Sequence, residues 1–243
     1  MRNHSVALLF LALFASSTEA ARHPDESKIG ERDINRGIYG FPNFYNTEEE
    51  RSTGADIDQV LQRSNTIVVG ATFLPRLQEI AERIVASSDY HGTLVIRVTL
   101  GIDRNAFAVM GGYVFIDTSI VALADSDDEI AAVLAHEVAH LAARHGAELL
   151  SYQRFLQSRL PNRQAVTDAV LDRAHDSEFE ADELAVQYLR RAAYRPEALA
   201  SVLVKIAPAR QRSGDGTHTA HFGQNKDIEA RVRQIRKALD STK

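Results

Sequence analysis

The sequence predicts a mainly helical α+β domain with a small sheet beside its central helix. Two observations support this fold class. Residues 126–146 and 164–191 carry apolar residues at helical spacing, and no proline interrupts them. Only two short segments have the alternation or the β-branched and aromatic composition of strands, 93–99 and Tyr113–Asp117. Several helices and few strands favour helices packed on one small sheet.

The remaining elements are predicted in chain order. Residues 56–63 and 72–86 are expected to be helices, and the second carries one apolar stripe of Leu77, Ile80, Ala81 and Ile84. In the first strand, 93–99, Leu94, Ile96 and Val98 are expected to face the core. After the central helix we expect further helices at 164–191, 197–207 and 226–239. The last has a predicted inward stripe of Ile228, Val232, Ile235 and Leu239.

The central segment 126–146 is predicted to be one largely buried helix. Ser126 and Glu129 have the spacing of a capping box at its start, and Gly146 stands where a left-handed terminator is expected. His145, one residue before that end, is interpreted as a cation that complements the helix dipole.

This helix contains the pentapeptide His136-Glu137-Val138-Ala139-His140, which is typical of zinc peptidases. Because residues four apart share a helix face, both histidines can bind one ion, and Glu137 then flanks that ion as a base for water. The alternative is a core helix with two incidental histidines. Burying two imidazoles and a carboxylate without a partner would be costly, which favours the metal site.

A catalytic zinc site takes a third protein ligand. A third histidine six residues after His140 is excluded, because Ala143 and Gly146 occupy the glycine and histidine positions of that longer pattern. Residues 175–182 offer Glu178 and Asp182 on one helix face, as candidates for a ligand and for an acceptor that orients a ligating histidine. A solvated acidic helix face is the alternative, and His175 is expected at the surface.

Three blocks of sequence resemble one family, the gluzincin zinc peptidases that include HtpX, BepA, the Oma-type mitochondrial peptidases and the CAAX prenyl endopeptidases. The blocks are 105–115, which contains N-A-F and G-G, HEVAH followed by Arg144-His145, and 178–182, which reads E-x-x-A-D. The resemblance extends over about residues 55 to 240.

The resemblance implies a zinc metalloendopeptidase with one zinc ion per chain, held by His136, His140 and Glu178, with Glu137 as general base. Glu178, and not Glu180, is then the third ligand. An edge strand beside the active site would bind extended substrates through main-chain hydrogen bonds. The residues assigned to that neighbourhood are Asn105, Phe107, Gly111 and Gly112.

A glycine-containing loop at 213–223 holds His218 and His221. Relatives often have a T-H-P triplet there with R-I soon after, whereas this loop lacks the proline and Arg231-Val232 follows at a longer distance. We interpret His221, with His218 as the alternative, as a fourth ligand or an oxyanion donor. Solvated loop histidines are the alternative.

Composition narrows the function and the location. The 243 residues carry a net charge of −5 without a basic face, so no nucleic-acid partner is expected. Residues 1–20 have a short apolar run and a small-residue cleavage site, as in a signal peptide, with an uncleaved anchor as the alternative. No later apolar run is long enough to span a membrane, and the chain has no cysteine for disulfides.

We therefore expect a polar lead-in at 21–54 and a peptidase domain at 55–243 in an exported protein, with the periplasm favoured over secretion. From the resemblance, the expected substrates are unfolded or misassembled envelope proteins. One alternative is a zinc-bound chaperone or assembly factor that uses the same cleft without cutting. Another is an interaction module that recruits partners through the acidic segment 22–54.

Overall fold

The computed structural model of the protein describes residues 26–32, 34–35, 41–64, 66–101, 106–210 and 225–240. The predicted signal peptide, Asn105, His218 and His221 lie outside these ranges. The predicted fold class is confirmed, since helices surround a three-stranded mixed sheet. Within the described ranges, no helix is both long and apolar enough to cross a bilayer.

The described elements follow in chain order after a short 3-10 turn at Glu26–Lys28. The helices are α1 Thr47–Arg63, α2 Leu74–Val85, α3 Thr118–Leu123, α4 Asp127–Ala142, α5 His145–Gln157, α6 Arg163–Arg191, α7 Ala198–Arg210 and α8 Asn225–Asp240. The strands are β1 Val95–Thr99, β2 Ala106–Val109 and β3 Tyr113–Asp117. Helices α3 and α5 were not predicted, and α1 begins nine residues before its predicted start at 56.

The strand Tyr113–Asp117 lies in the middle of the sheet. It pairs in parallel with β1, with Val95 opposite Tyr113, and antiparallel with β2, with Phe107 opposite Phe115. Phe107 therefore lies on an edge strand, β2, which packs against α4 as the predicted fold requires.

Gly111 and Gly112 form the turn between β2 and β3. Both have positive φ, 85° and 95°, which favours glycine. A Cβ atom on Gly112 would lie 2.0 Å from the carbonyl oxygen of Thr93, and one on Gly111 would lie 2.6 Å from that of Glu50. The turn thus needs both glycines, because strand β1 and helix α1 approach its backbone closely.

Helix α4 occupies the centre of the core. It packs against α2, β2, α6 and α7, so it is buried on nearly every side. Small residues make this close approach feasible, since Ala131, Ala132 and Ala135 are fully buried. The predicted apolar stripe of α2 is buried against this core, as are three of the four residues predicted to face inward on α8.

The predicted end of the central helix was wrong. Helix α4 ends at Ala142, Arg144 takes the left-handed conformation with φ of 56°, and Gly146 lies in the first turn of α5. A residue with a side chain pays about 1 kcal/mol for that conformation. Arg144 is held in it by Glu50, which its Nε atom meets at 2.8 Å, and by the carbonyl of Tyr45 at 3.0 Å.

The start of α4 is close to the prediction. Ser126 is the N-cap and accepts a hydrogen bond from the Glu129 amide at 3.4 Å. The Glu129 carboxylate, however, accepts from the amide of Asp125 at 2.7 Å and from Lys205 at 2.6 Å rather than from Ser126. Half of the predicted capping box is therefore replaced by a tie to helix α7.

The described part of the predicted lead-in packs against helices α4 and α5. The side chain of Asn35 donates to the carbonyl of Ala142 at 2.9 Å, and the amide of Phe44 donates to Ser151 at 3.0 Å. Helix α1 starts at Thr47 behind a capping box. The predicted boundary at residue 54 therefore falls inside α1.

Asp89 anchors the beginning of this segment. Its carboxylate accepts from the amide of Gly30 at 2.9 Å, from Arg32 Nε at 3.1 Å and from the Tyr188 hydroxyl at 2.9 Å. Burial acts to raise the pKa of Asp89, but these hydrogen bonds and the Arg32 charge outweigh it and hold the pKa below its usual value.

Replacing Asp89 by asparagine should lower the free energy of unfolding at pH 7 by about 3 kcal/mol, because the buried Arg32 would lose its counter-ion. A carboxyl with a lowered folded-state pKa stabilises above its unfolded pKa of about 3.9, and that contribution is lost as the pH falls through the lowered value. Asp89→Asn should therefore show a flatter fall in stability below about pH 4 than the wild type.

Urea unfolding at several pH values measures both effects. The exposed Asp172 on α6 provides the matched control, since Asp172→Asn should leave the stability within about 0.5 kcal/mol. Equal acid limbs in wild type and Asp89→Asn would contradict this assignment.

Candidate metal centre

Three side chains converge between helices α4 and α6. Nε2 of His136 and Nε2 of His140 lie 3.1 Å apart. One oxygen of Glu178 lies 3.4 Å from the first nitrogen, and its other oxygen lies 3.4 Å from the second. The helical spacing places the two histidines on the same face of α4, and the crossing of α6 brings Glu178 to it.

These distances fit a zinc ion. Zinc binds nitrogen and oxygen ligands at about 2.0–2.1 Å, so two ligands of a tetrahedral ion are roughly 3.3 Å apart. The three measured separations are close to that value. Two imidazoles and one carboxylate are also a known catalytic donor set, one that leaves a fourth position for water. The residues present therefore fit zinc.

The other ring nitrogen of His136 points to α6. Its Nδ1 atom lies 3.0 Å from Asp182, which is fully buried. Asp182 was predicted to be the acceptor that orients a ligating histidine, and His136 is the histidine beside it.

Arg231 on helix α8 completes this side of the centre. Its Nε and Nη2 atoms donate to the two oxygens of Asp182 at 2.6 and 2.8 Å, and Nη1 donates to Glu178 at 2.8 Å. Its residue surface is only 1% exposed. The role of Arg231 was not predicted from the sequence, where it was considered only as part of Arg231-Val232. An arginine on the same stripe as Ile228 and Ile235 was the signal that could have identified it.

The charges at the centre set its electrostatics. Burial acts to lower the pKa of His136, but hydrogen bonds to Asp182 and Glu178 raise it to about 9. Burial lowers the pKa of His140, and the nearby charges of His136 and Arg231 add to that effect. The pKa of Glu178 is held well below its usual value, because hydrogen bonds from both histidines and the Arg231 charge outweigh its burial. A positive charge is thus stabilised on His136, which faces both Asp182 and Glu178.

His145 lies directly behind His140. Its Nδ1 atom is 2.9 Å from Nδ1 of His140, and its Nε2 atom is 3.2 Å from a carboxylate oxygen of Glu180. The interpretation of His145 as a cation at the C-terminus of the central helix was wrong. Helix α4 ends before Arg144, so His145 begins α5, and its buried ring faces His140.

A cleft of about 760 Å³ opens beside the centre. Glu137 and His140 lie at its base, and Ala108, Met110 and Gly111 form the wall on the side of strand β2. The remaining walls come from α1, α5, α6 and the segment 89–93, with lining residues that include Glu50, Arg51, Leu149, Val170 and Leu171. His175, by contrast, lies at the surface as predicted, in the middle of α6.

Part of the chain is similar to known metallopeptidases. Residues 74–173 match peptidase family M48. The mitochondrial metalloendopeptidase OMA1 of Saccharomyces cerevisiae is 35% identical over 115 residues, which are 42% of this chain and 33% of that protein. The beta-barrel assembly-enhancing protease of Yersinia pestis is 23% identical over 184 residues, which are 66% of this chain and 38% of that protein. The matches thus cover less than half the length of either relative.

Arg231 yields a prediction about stability without metal. In the presence of a chelator, Arg231→Met should lower the free energy of unfolding by about 3–5 kcal/mol, because Asp182 and Glu178 would be buried without their cation. Excess zinc should narrow this difference, since an ion at the centre pairs with Glu178. Urea unfolding with EDTA and with zinc measures both values.

The free energy of unfolding of Arg231→Lys should lie between those of the wild type and Arg231→Met. Lysine keeps the charge but lacks the planar fork that binds both carboxylates. The exposed Arg233 on the same helix supplies the control, and Arg233→Met should change stability by no more than about 0.5 kcal/mol. If metal-free Arg231→Met were as stable as the wild type, Arg231 would not be the counter-ion described.

Proposed function

We propose that this protein is a zinc-dependent metalloendopeptidase, since residues 74–173 match peptidase family M48. The observation that carries the proposal is the convergence of His136, His140 and Glu178 at tetrahedral separations, with Glu137 on the same helix at the base of a cleft.

His136, His140 and Glu178 would hold the zinc ion through two nitrogens and a carboxylate. When bound, the ion supplies a lowered pKa for water, toward about 7, and polarises the scissile carbonyl. Glu137 accepts the proton of the attacking water and later delivers it to the leaving amine. Asp182 accepts from Nδ1 of His136 and keeps its Nε2 directed at the ion, while Arg231 holds Asp182 and Glu178 in place.

The cleft geometry supports an extended polypeptide as substrate. Strand β2 is an edge strand, and Ala108, Met110 and Gly111 at its end line the cleft that contains Glu137. A peptide that adds to this edge forms main-chain hydrogen bonds, which depend little on its sequence. Folded proteins present few such strands, so unfolded or misassembled proteins are the proposed substrates. The name of the Yersinia pestis relative, a beta-barrel assembly-enhancing protease, agrees with that class.

Two further parts of the proposal concern residues outside the described ranges. The apolar run and small-residue site within 1–20 support export, with the periplasm as the proposed location. His221, with His218 as the alternative, is proposed as a fourth ligand or as a donor to the oxyanion. Imidazole is a common zinc ligand, and a loop can carry it toward or away from an ion.

The proposed mechanism predicts different effects for loss of the general base and loss of a zinc ligand. Glu137→Gln should bind zinc like the wild type but hydrolyse casein at least about 100-fold more slowly, because glutamine does not accept the proton. Glu178→Ala should lose both zinc and hydrolysis, since it removes a ligand. Zinc content by elemental analysis and casein cleavage on matched protein samples measure the two properties.

Cleavage by Glu137→Gln at the wild-type rate would overturn the mechanism. A wild type that binds zinc and suppresses aggregation of an unfolded protein, yet never cuts it, would support the chaperone alternative instead. In that case Glu137→Gln should suppress aggregation as well as the wild type does.

A further inference from the structure

We propose that His145 and Glu180 are positioning residues that fix the tautomer and the orientation of His140 for zinc. This inference rests on the metal centre of the proposed function, but not on peptide hydrolysis. The observation that carries it is a continuous line of buried groups, in which Glu180 meets His145 at 3.2 Å and His145 meets His140 at 2.9 Å.

The backbone is built to bring His145 into this line. On an uninterrupted helix, a residue five positions after His140 would be rotated by about 140° from it and would face away. The left-handed conformation of Arg144 ends α4 and starts α5, so the chain turns back and the two rings lie edge to face with centroids 4.9 Å apart. The ion pair between Arg144 and Glu50 holds that turn.

The atoms in contact determine where the protons are. Nε2 of His140 faces His136 and Glu178, so it must carry a lone pair to bind an ion, and its proton is then on Nδ1. That Nδ1–H group points at Nδ1 of His145, which must therefore accept. His145 then carries its proton on Nε2, where it donates to the Glu180 carboxylate.

Glu180 thus selects the tautomer of His145, and His145 selects the metal-binding tautomer of His140. The opposite tautomer of His145 would put two N–H groups against each other at a separation of 2.9 Å. Zinc-bound histidines in general donate their second nitrogen to a fixed acceptor. Here His136 uses the carboxylate of Asp182, whereas His140 uses a neutral imidazole backed by a carboxylate.

The side chains of His145 and Glu180 are only 2% and 7% exposed. Burial of such a pair is weak grounds for a stabilising role, because apolar replacements of similar size are often neutral or better. A role in holding His140 explains why the pair is buried. It also predicts different effects on zinc affinity and on folding stability. Zinc affinity should depend on the pair more strongly than folding does.

The test measures the zinc dissociation constant by competition with a chromophoric chelator, in the Glu137→Gln background so that self-digestion does not intervene. His145→Leu should weaken zinc binding about 10–100-fold, because His140 loses its acceptor. His145→Asn should stay within about 3-fold of the parent, since its amide oxygen occupies the position of Nδ1. Glu180→Gln should fall between these variants, because an amide no longer imposes one tautomer on His145.

Controls separate positioning from general damage. His175→Leu removes an exposed histidine of α6 and should leave the zinc dissociation constant unchanged. Asp182→Asn weakens the other arm, so its effect should add to that of His145→Leu, whereas the effects of Glu180→Gln and His145→Leu should not add. Circular dichroism checks that each variant is folded. If His145→Leu does not fold, the comparison of Glu180→Gln with His145→Asn tests the inference instead.

NMR of zinc-loaded protein labelled with ¹⁵N-histidine supplies a readout that a merely structural role would not move. His140 should be protonated at Nδ1 and His145 at Nε2. The opposite tautomer at His145, or unchanged zinc affinity in folded His145→Leu, would overturn the inference. Weakened zinc binding in His145→Leu would support it even if the wild type cut no substrate, so the inference and the proposed function can fail separately.

Discussion

The burial of charged groups between helices α4 and α6 is the constraint on which the rest of the structure depends. Removing Glu178 and Asp182 from water is costly, and the cost is offset only where each carboxylate meets a cation or several donors. Arg231 supplies the cation, but it belongs to α8, the last described helix. Helix α8 is therefore part of the candidate metal centre as well as of the apolar core, which it enters through Ile228 and Ile235.

The same constraint explains the composition of α4. A helix that carries the candidate metal ligands on one face and contacts the sheet and other helices on its remaining faces has few solvated positions. Alanine at 131, 132 and 135 lets those neighbours approach closely. Burial strengthens the hydrogen bonds around His136, whose residue surface is only 1% exposed.

Local spacing was readable from the sequence, and distant contacts were not. His136 and His140, like Glu178 and Asp182, are four residues apart on helices whose apolar patterns were clear, so their shared faces could be predicted. The position of His145 could not, because it depends on the left-handed Arg144, and that conformation is held by Glu50, 94 residues away. Gly146 led to a wrong prediction of the helix end, because glycine is the usual residue in a left-handed helix terminus. Here Arg144 takes that conformation instead.

Helix α1 therefore supports the candidate metal centre through Arg144 rather than through the ligands themselves. Helix α1 precedes the region that matches the peptidase family, yet its Glu50 fixes Arg144, whose turn places His145 against His140. The same helix contributes Thr47, Glu50 and Arg51 to the cleft wall and packs on the turn at Gly111 that borders strand β2. One helix thus contacts both the turn at the end of the edge strand β2 and Arg144, which positions His145. Its docking is coupled physically to the geometry of both, because a shift of α1 would move Arg144 and the β2 turn together.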